Sequence, residues 1–183
     1  MQQLIERVLV GRSHRQTIAK HASGLDRYTG VLTIAAACLL GIGAAAPIAT
    51  VEDFFGLNGQ FSIFTAAMEL IKIGQGAHAI GLAVIFGVIP IFSIATVFDL
   101  WYKYELHEEK TERMLPRAGF CNRIWFLVML ATLALIYYVS QSSEGAILHM
   151  AIYYLLLSVL LQKITLSRLT GLLDKIKYVR EDP

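Results

Sequence analysis

Lysine and arginine are missing from long tracts of this chain. Lys72 alone interrupts a basic-free stretch from Tyr28 to Tyr102, and neither residue type occurs between Arg123 and Lys163. Cysteine is scarcer still. Cys38 falls inside an apolar stretch and Cys121 beside a polar segment, so a disulfide between them is implausible and no CxxC zinc pattern exists. A phosphate-binding glycine loop, an HExxH motif and a serine-nucleophile elbow are also absent. These absences leave no catalytic residue to nominate and no cofactor to expect, and they point to a protein that is not an enzyme.

What is present is apolar. Hydrophobic residues make up 56% of the 183 and charged residues 16%, too apolar a balance for a soluble domain of this size to bury. Four apolar stretches stand out, roughly Gly30 to Ile48, Ala77 to Trp101, Ile124 to Val139 and Ile147 to Leu166. The first is long enough for the roughly 20 residues that cross about 30 Å of hydrocarbon. Its long basic flank and the three stretches that follow argue against a cleaved signal peptide.

The basic residues then set an orientation. Arg7, Arg12, Arg15, Lys20 and Arg27 precede the first stretch, and Lys72 lies between the first and second. Lys103, Lys110, Arg113, Arg117 and Arg123 lie between the second and third, none between the third and fourth, and Lys163, Arg168, Lys175, Lys177 and Arg180 at or beyond the end of the fourth. Cytoplasmic loops near membrane spans hold such residues and exported loops exclude them. The pattern predicts an all-α integral membrane protein with four transmembrane helices and both termini inside. It divides into a basic cytoplasmic arm (1–29), a four-helix domain (30–166) and an amphipathic cytoplasmic tail (167–183). The basic residues are dispersed over three inner segments without a recognition motif, so nucleic-acid binding has no support.

Local signals refine this picture. In the first span Ala37, Gly41 and Ala45 form a small-xxx-small row suited to close helix packing, inside the bundle or against a partner subunit. Pro47 marks the outer end of that helix. Between the first two spans, Phe61 to Ile73 has helical periodicity, with Ile63, Ala66, Ala67, Leu70 and Ile73 on one face and Ser62, Glu69 and Lys72 elsewhere. This predicts a short outer interfacial helix ended by Gly74 and Gly76. It is either a lid that packs on the bundle or a contact surface for lipid or an outer partner, with Ile63, Glu69, Leu70 and Lys72 as the contact candidates.

On the inner side, Trp101 to Arg113 is expected to extend the second span as a charged helix, with Asp99 to Lys103 and Glu109 to Arg113 at favourable spacing. Pro116 and Gly119 are expected to break it, and Trp101, Tyr102, Tyr104 and Trp125 to anchor at the interface. Leu4, Ile5, Val8 and Leu9 near the start, and Leu166, Leu169, Leu172, Leu173 and Ile176 near the end, form apolar stripes for the inner leaflet or a partner.

Two histidines, His78 and His149, fall at the outer ends of the second and fourth spans, at similar depth. They are interfacial residues, polar groups near a cavity, or axial ligands to a haem held between two helices. No ionisable residue sits convincingly at mid-bilayer, which argues against a proton or ion pump.

The stretch "APIATVEDFFGLNGQFSIFTAAMELIKIGQGAHAIGLAVIFGVIPIFSIATVF" resembles the paraquat-inducible protein A family of bacterial inner-membrane proteins, in which a first span ends at a proline, an outer segment with a short helix follows, and a second span carries a later proline. Pro47, Ser62, Leu70, Gly74 and Pro90 take those places. "RIWFLVMLATLALIYYV" and "ILHMAIYYLLLSVLLQKI" look like the family's third and fourth spans. The chain departs from the pattern at Ser93, where many members carry a lysine, and in having one module without zinc ribbons.

The resemblance implies a bacterial inner-membrane location and a role in lipid movement or envelope homeostasis. Its partners would be membrane lipids and an outer-compartment protein of the mammalian-cell-entry type. The alternatives are a non-catalytic accessory subunit of a larger respiratory or photosynthetic membrane complex and, through His78 and His149, a haem-bearing subunit.

Overall fold

The computed structural model describes residues 17–54, 57–103, 109–141 and 147–181. In chain order these form helix α1 (Ile18–His21), a 3-10 turn (Gly24–Tyr28), α2 (Thr29–Ala45), strands β1 (Ala49–Phe54) and β2 (Leu57–Phe61), and α3 (Ile63–Lys72). They continue with α4 (Gly76–Ala83), a π turn (Val84–Val88), α5 (Ile89–Tyr102), α6 (Glu109–Gln141), β3 (Ile147–Leu148) and α7 (Ala151–Glu181). Three helical runs are long and apolar enough to cross a membrane: Gly24–Ala45, Gly76–Tyr102 and Ala151–Leu173. The remaining apolar stretch, Ile124 to Val139, belongs to α6, a helix of 33 residues.

The helices pack by close approach between α2 and α7. A Cβ added at Gly43 would lie 2.7 Å from Leu155 Cγ and 3.0 Å from its backbone nitrogen, so only glycine fits there. Thr29, Gly30, Thr33, Ala36, Leu40, Gly43 and Ala44 are the buried residues of α2. Ala37, Gly41 and Ala45 are exposed, and a Cβ on Gly41 would meet nothing within 4 Å. The predicted small-residue row therefore points away from the bundle, and internal packing uses the neighbouring face of the same helix. The reason is geometric: in a helix with small residues nearly all round, spacing alone does not say which face meets the partner.

Three apolar clusters stack along the bundle. Leu57, Leu70 and Ala79 form one beneath the strands; Leu40, Ala44, Ile63, Trp125, Met129, Ile152, Leu155 and Val159 form the middle. Ile18, Ala19, Val97, Leu100, Trp101, Leu169, Leu172 and Leu173 close the opposite, basic end. Trp101 and Trp125, expected as interfacial anchors, are fully buried in these clusters. Gly30 makes room for the first of them, since a Cβ there would overlap Trp101 Nε1 and the Tyr102 hydroxyl.

Several boundaries also move. The helix of the fourth apolar stretch continues through Leu166 to Glu181, and Leu169, Leu172 and Leu173 are core rather than leaflet-facing, so the structure has no break at 166. Within the expected basic N-terminal arm, Thr17 is buried and Ile18 and Ala19 belong to the same cluster. The second run ends at Tyr102, and α6 passes through Pro116 and Gly119 without interruption. Pro116 stands inside α6, two turns from its start, where it forgoes one backbone hydrogen bond to the preceding turn. Asp99 and Lys103 do approach, at 3.8 Å. Tyr104 and the N-terminal stripe lie outside the described residues.

In the second run the π turn stands directly before Pro90, and the Ile89 amide reaches back to the carbonyl of Val84. Proline cannot donate and its ring crowds the carbonyl four residues earlier, so a widened turn relieves the crowding. Pro90 itself is buried, whereas Pro47 is exposed just beyond α2.

One element was not expected. β1 pairs antiparallel with β2 (Ala49 opposite Phe61, Thr50 opposite Gln60) and with β3 (Ala49 opposite Leu148, Thr50 opposite Ile147), giving a sheet of order β2-β1-β3. Gly59, at φ 119°, takes a backbone conformation that glycine alone adopts readily. The otherwise helical chain thus carries a small sheet at one end of the bundle.

Candidate functional site

The sheet end carries the clearest surface feature. Ser62 starts α3 with a capping box: its Oγ accepts from the Thr65 amide at 3.2 Å, and Thr65 Oγ1 accepts from the Ser62 amide at 2.7 Å. Beyond the helix, Gly74 at φ 80° turns the chain and the Gln75 amide closes on the Leu70 carbonyl at 2.8 Å. Both ends of α3 are therefore fixed, and so is its rotation.

That rotation buries Ile63 among Leu40 and Ile152, and Leu70 against Leu57 and Ala79. Neither can touch a partner, so the contact candidates Ile63 and Leu70 are corrected to core residues. The face turned outward carries Phe64, Met68 and Ile71, each more than 60% exposed. Spaced by four and three, they form one apolar stripe. Ile73, placed by its spacing on the face of Ile63 and Leu70, is also exposed. At the end of the stripe Lys72 Nζ meets Glu69 Oε2 at 2.8 Å, an exposed pair one turn apart that contributes little to stability.

His149 joins the strands to the last helix. Its amide donates to the Ile48 carbonyl at 2.8 Å, and its Nε2 lies 2.8 Å from Thr50 Oγ1 and 3.3 Å from Gln60 Nε2. One imidazole thereby ties β1 and β2 to the start of α7. A haem ligand needs its ring nitrogen directed at the iron; that of His149 is directed at Thr50 instead. His78 sits on the exposed side of the first turn of α4. Among the described residues no three His, Cys, Asp or Glu converge as a metal site.

A second polar feature is buried and was not anticipated. Asn122 Nδ2 of α6 donates to Gln162 Oε1 at 3.4 Å, Gln162 Nε2 to Ser158 Oγ at 3.4 Å, and Ser158 Oγ to the Ala36 carbonyl of α2 at 2.7 Å. All three side chains are at most 3% exposed. The chain of donors links three helices where no water competes, which fixes their register. The available signal was polar residues at the edges of apolar runs, Asn122 before "IWFLVML" and Gln162 after "LLLSVLL". Ser93, the departure from the resembled family, is also buried, and its Oγ has no hydrogen-bond partner among the described residues.

Comparison with protein-family models, curated proteins and solved structures finds no match to this chain.

Proposed function

We propose that the chain spans the bacterial cytoplasmic membrane four times, with α6 supplying the third crossing, the basic end in the cytoplasm and the sheet end outside. It takes part, without catalysis of its own, in lipid movement or envelope homeostasis by presenting its outer cap to a partner or to lipid. The basic-residue census supports the orientation. The apolar stripe of Phe64, Met68 and Ile71 carries the functional reading, because a helix whose ends and rotation are fixed exposes three large apolar side chains that its own bundle does not cover. Lipid movement itself comes from the resemblance to the paraquat-inducible protein A family. Four of the places that carry it, Pro47, Ser62, Gly74 and Pro90, stand at or just outside element boundaries in the fold.

Photocrosslinking tests this reading. A crosslinker at position 64, 68 or 71 should capture an outer-compartment protein or lipid in living cells, whereas one at the buried position 63 should not. Capture of integral subunits of an energy-converting complex alone would transfer the assignment to the accessory-subunit reading. That second reading has its own support in the outward row Ala37, Gly41 and Ala45, a surface that lets another membrane helix approach closely.

A further inference from the structure

The bundle carries a pair of cations where its surface is otherwise apolar. Lys163 lies within the apolar run Ala151–Leu173, and Arg123 immediately precedes the apolar stretch that begins at Ile124. Both are exposed. Among the described residues neither makes an ion pair. Their helices are in register here, because Asn122 and Gln162, the residues just before each, are hydrogen-bonded across the α6–α7 contact at 3.4 Å.

Lys163 is not loose. Its Nζ stands 4.4 Å from the centre of the Phe126 ring, which holds the ammonium over α6. Arg123 and Phe126 are three residues apart and so share that flank of α6. Phe120 and Leu127 on α6, and Leu160 and Ile164 on α7, are exposed nearby and supply apolar surface around the two charges.

We infer that Arg123 and Lys163 together bind the phosphate of an anionic phospholipid at the basic end of the bundle, with its acyl chains against the flanking apolar side chains. The inference rests on the reading that these helices cross a membrane, and it adds a lipid class and a place to the proposed lipid function. Charge complementarity selects the occupant: two cations with no carboxylate partner among the described residues, set in an apolar surface, match a headgroup that is negative and chains that are not. The guanidinium can engage two phosphate oxygens at once while the ammonium supplies a point charge. A lysine merely extending toward bulk headgroups would need neither the ring beneath it nor a second cation beside it.

The test uses the purified full chain in neutral detergent, titrated with phosphatidylglycerol or phosphatidylethanolamine and read by native mass spectrometry. Phosphatidylglycerol should bind at least tenfold more tightly. Arg123→Gln with Lys163→Gln should weaken it about tenfold without changing phosphatidylethanolamine binding. Excess inorganic phosphate should not displace the lipid, since the apolar contacts belong to the chains; full displacement would identify a free-phosphate site and overturn the proposal. Should the double variant fail to fold, Phe126→Leu keeps the apolar volume, releases Lys163 and should cost about threefold. Equal binding of both lipids, or a double variant that binds like the parent, overturns the proposal while leaving the spans intact. Failure of the membrane reading would appear separately, as extraction of the protein from membranes by alkaline carbonate.

Discussion

Ser158 Oγ donates a 2.7 Å hydrogen bond to the backbone carbonyl of Ala36, joining α7 to α2 at a point where both residues are fully buried. A carbonyl inside a helix already accepts from the amide four residues on, and its second lone pair is what the serine uses. Ser158→Ala should lower stability by about 0.6–1.7 kcal/mol, the range seen for hydrogen bonds between membrane helices. A double-mutant cycle with Gln162→Leu should show coupling, because Gln162 donates to the same hydroxyl. Strict additivity in a denaturant titration would mean the network is not formed.

Two glycines of α2 should behave oppositely. Gly43→Val should reduce the folded fraction in detergent strongly, by about 1–3 kcal/mol or more, because its new methyls meet Leu155 side chain and backbone. Gly41→Leu should leave the monomer's thermal stability nearly unchanged, since nothing lies within 4 Å of its Cβ. If Gly41→Leu instead separates the protein from co-purifying subunits, the outward row is an assembly surface.

Ser93→Ala removes a buried hydroxyl that has no partner among the described residues. The substitution should be neutral or stabilising by about 1 kcal/mol in thermal unfolding, as expected when an unmet polar group is replaced by a methyl of similar shape. Marked destabilisation would show that the hydroxyl has an undetected partner.

The cap separates structure from contact. Ile63→Ser and Leu70→Ser should each cost about 2–5 kcal/mol and expose the sheet end to protease, because both side chains fill the core. Phe64→Ser, Met68→Ser and Ile71→Ser should fold normally but lose crosslinked partner or lipid. Reversing both Glu69 and Lys72 should impair partner association while leaving insertion intact, since insertion depends on the spans and the basic segments.

Orientation is testable by labelling. On a background lacking Cys38 and Cys121, single cysteines at Glu52 and Glu144 should react with an impermeant thiol reagent from outside, and those at Glu109 and Glu181 only after the membrane is opened. Labelling at 109 in intact cells would reverse the proposed topology.

The sequence by itself determined the features that depend on the nearest residues. Apolar runs and their lengths locate the long helices, and periodicity with Gly74 locates α3 to within two residues. The charge census gave an orientation that awaits labelling. What only the tertiary structure decided was which side of each element faces inward. Ala37 and Ala36 are interchangeable in composition, yet one is exposed and the other fully buried, because Gly43 and Ser158 set where α7 lies. Ile63 and Phe64 are likewise equal as apolar neighbours until the fixed ends of α3 turn Ile63 into the cluster of Leu40 and Ile152. The sheet itself pairs residue 49 with 148, a contact across 99 positions that no local pattern carries. Hydrophobicity is a local property of a sequence, but a face becomes interior only when a distant segment covers it, and that choice belongs to packing.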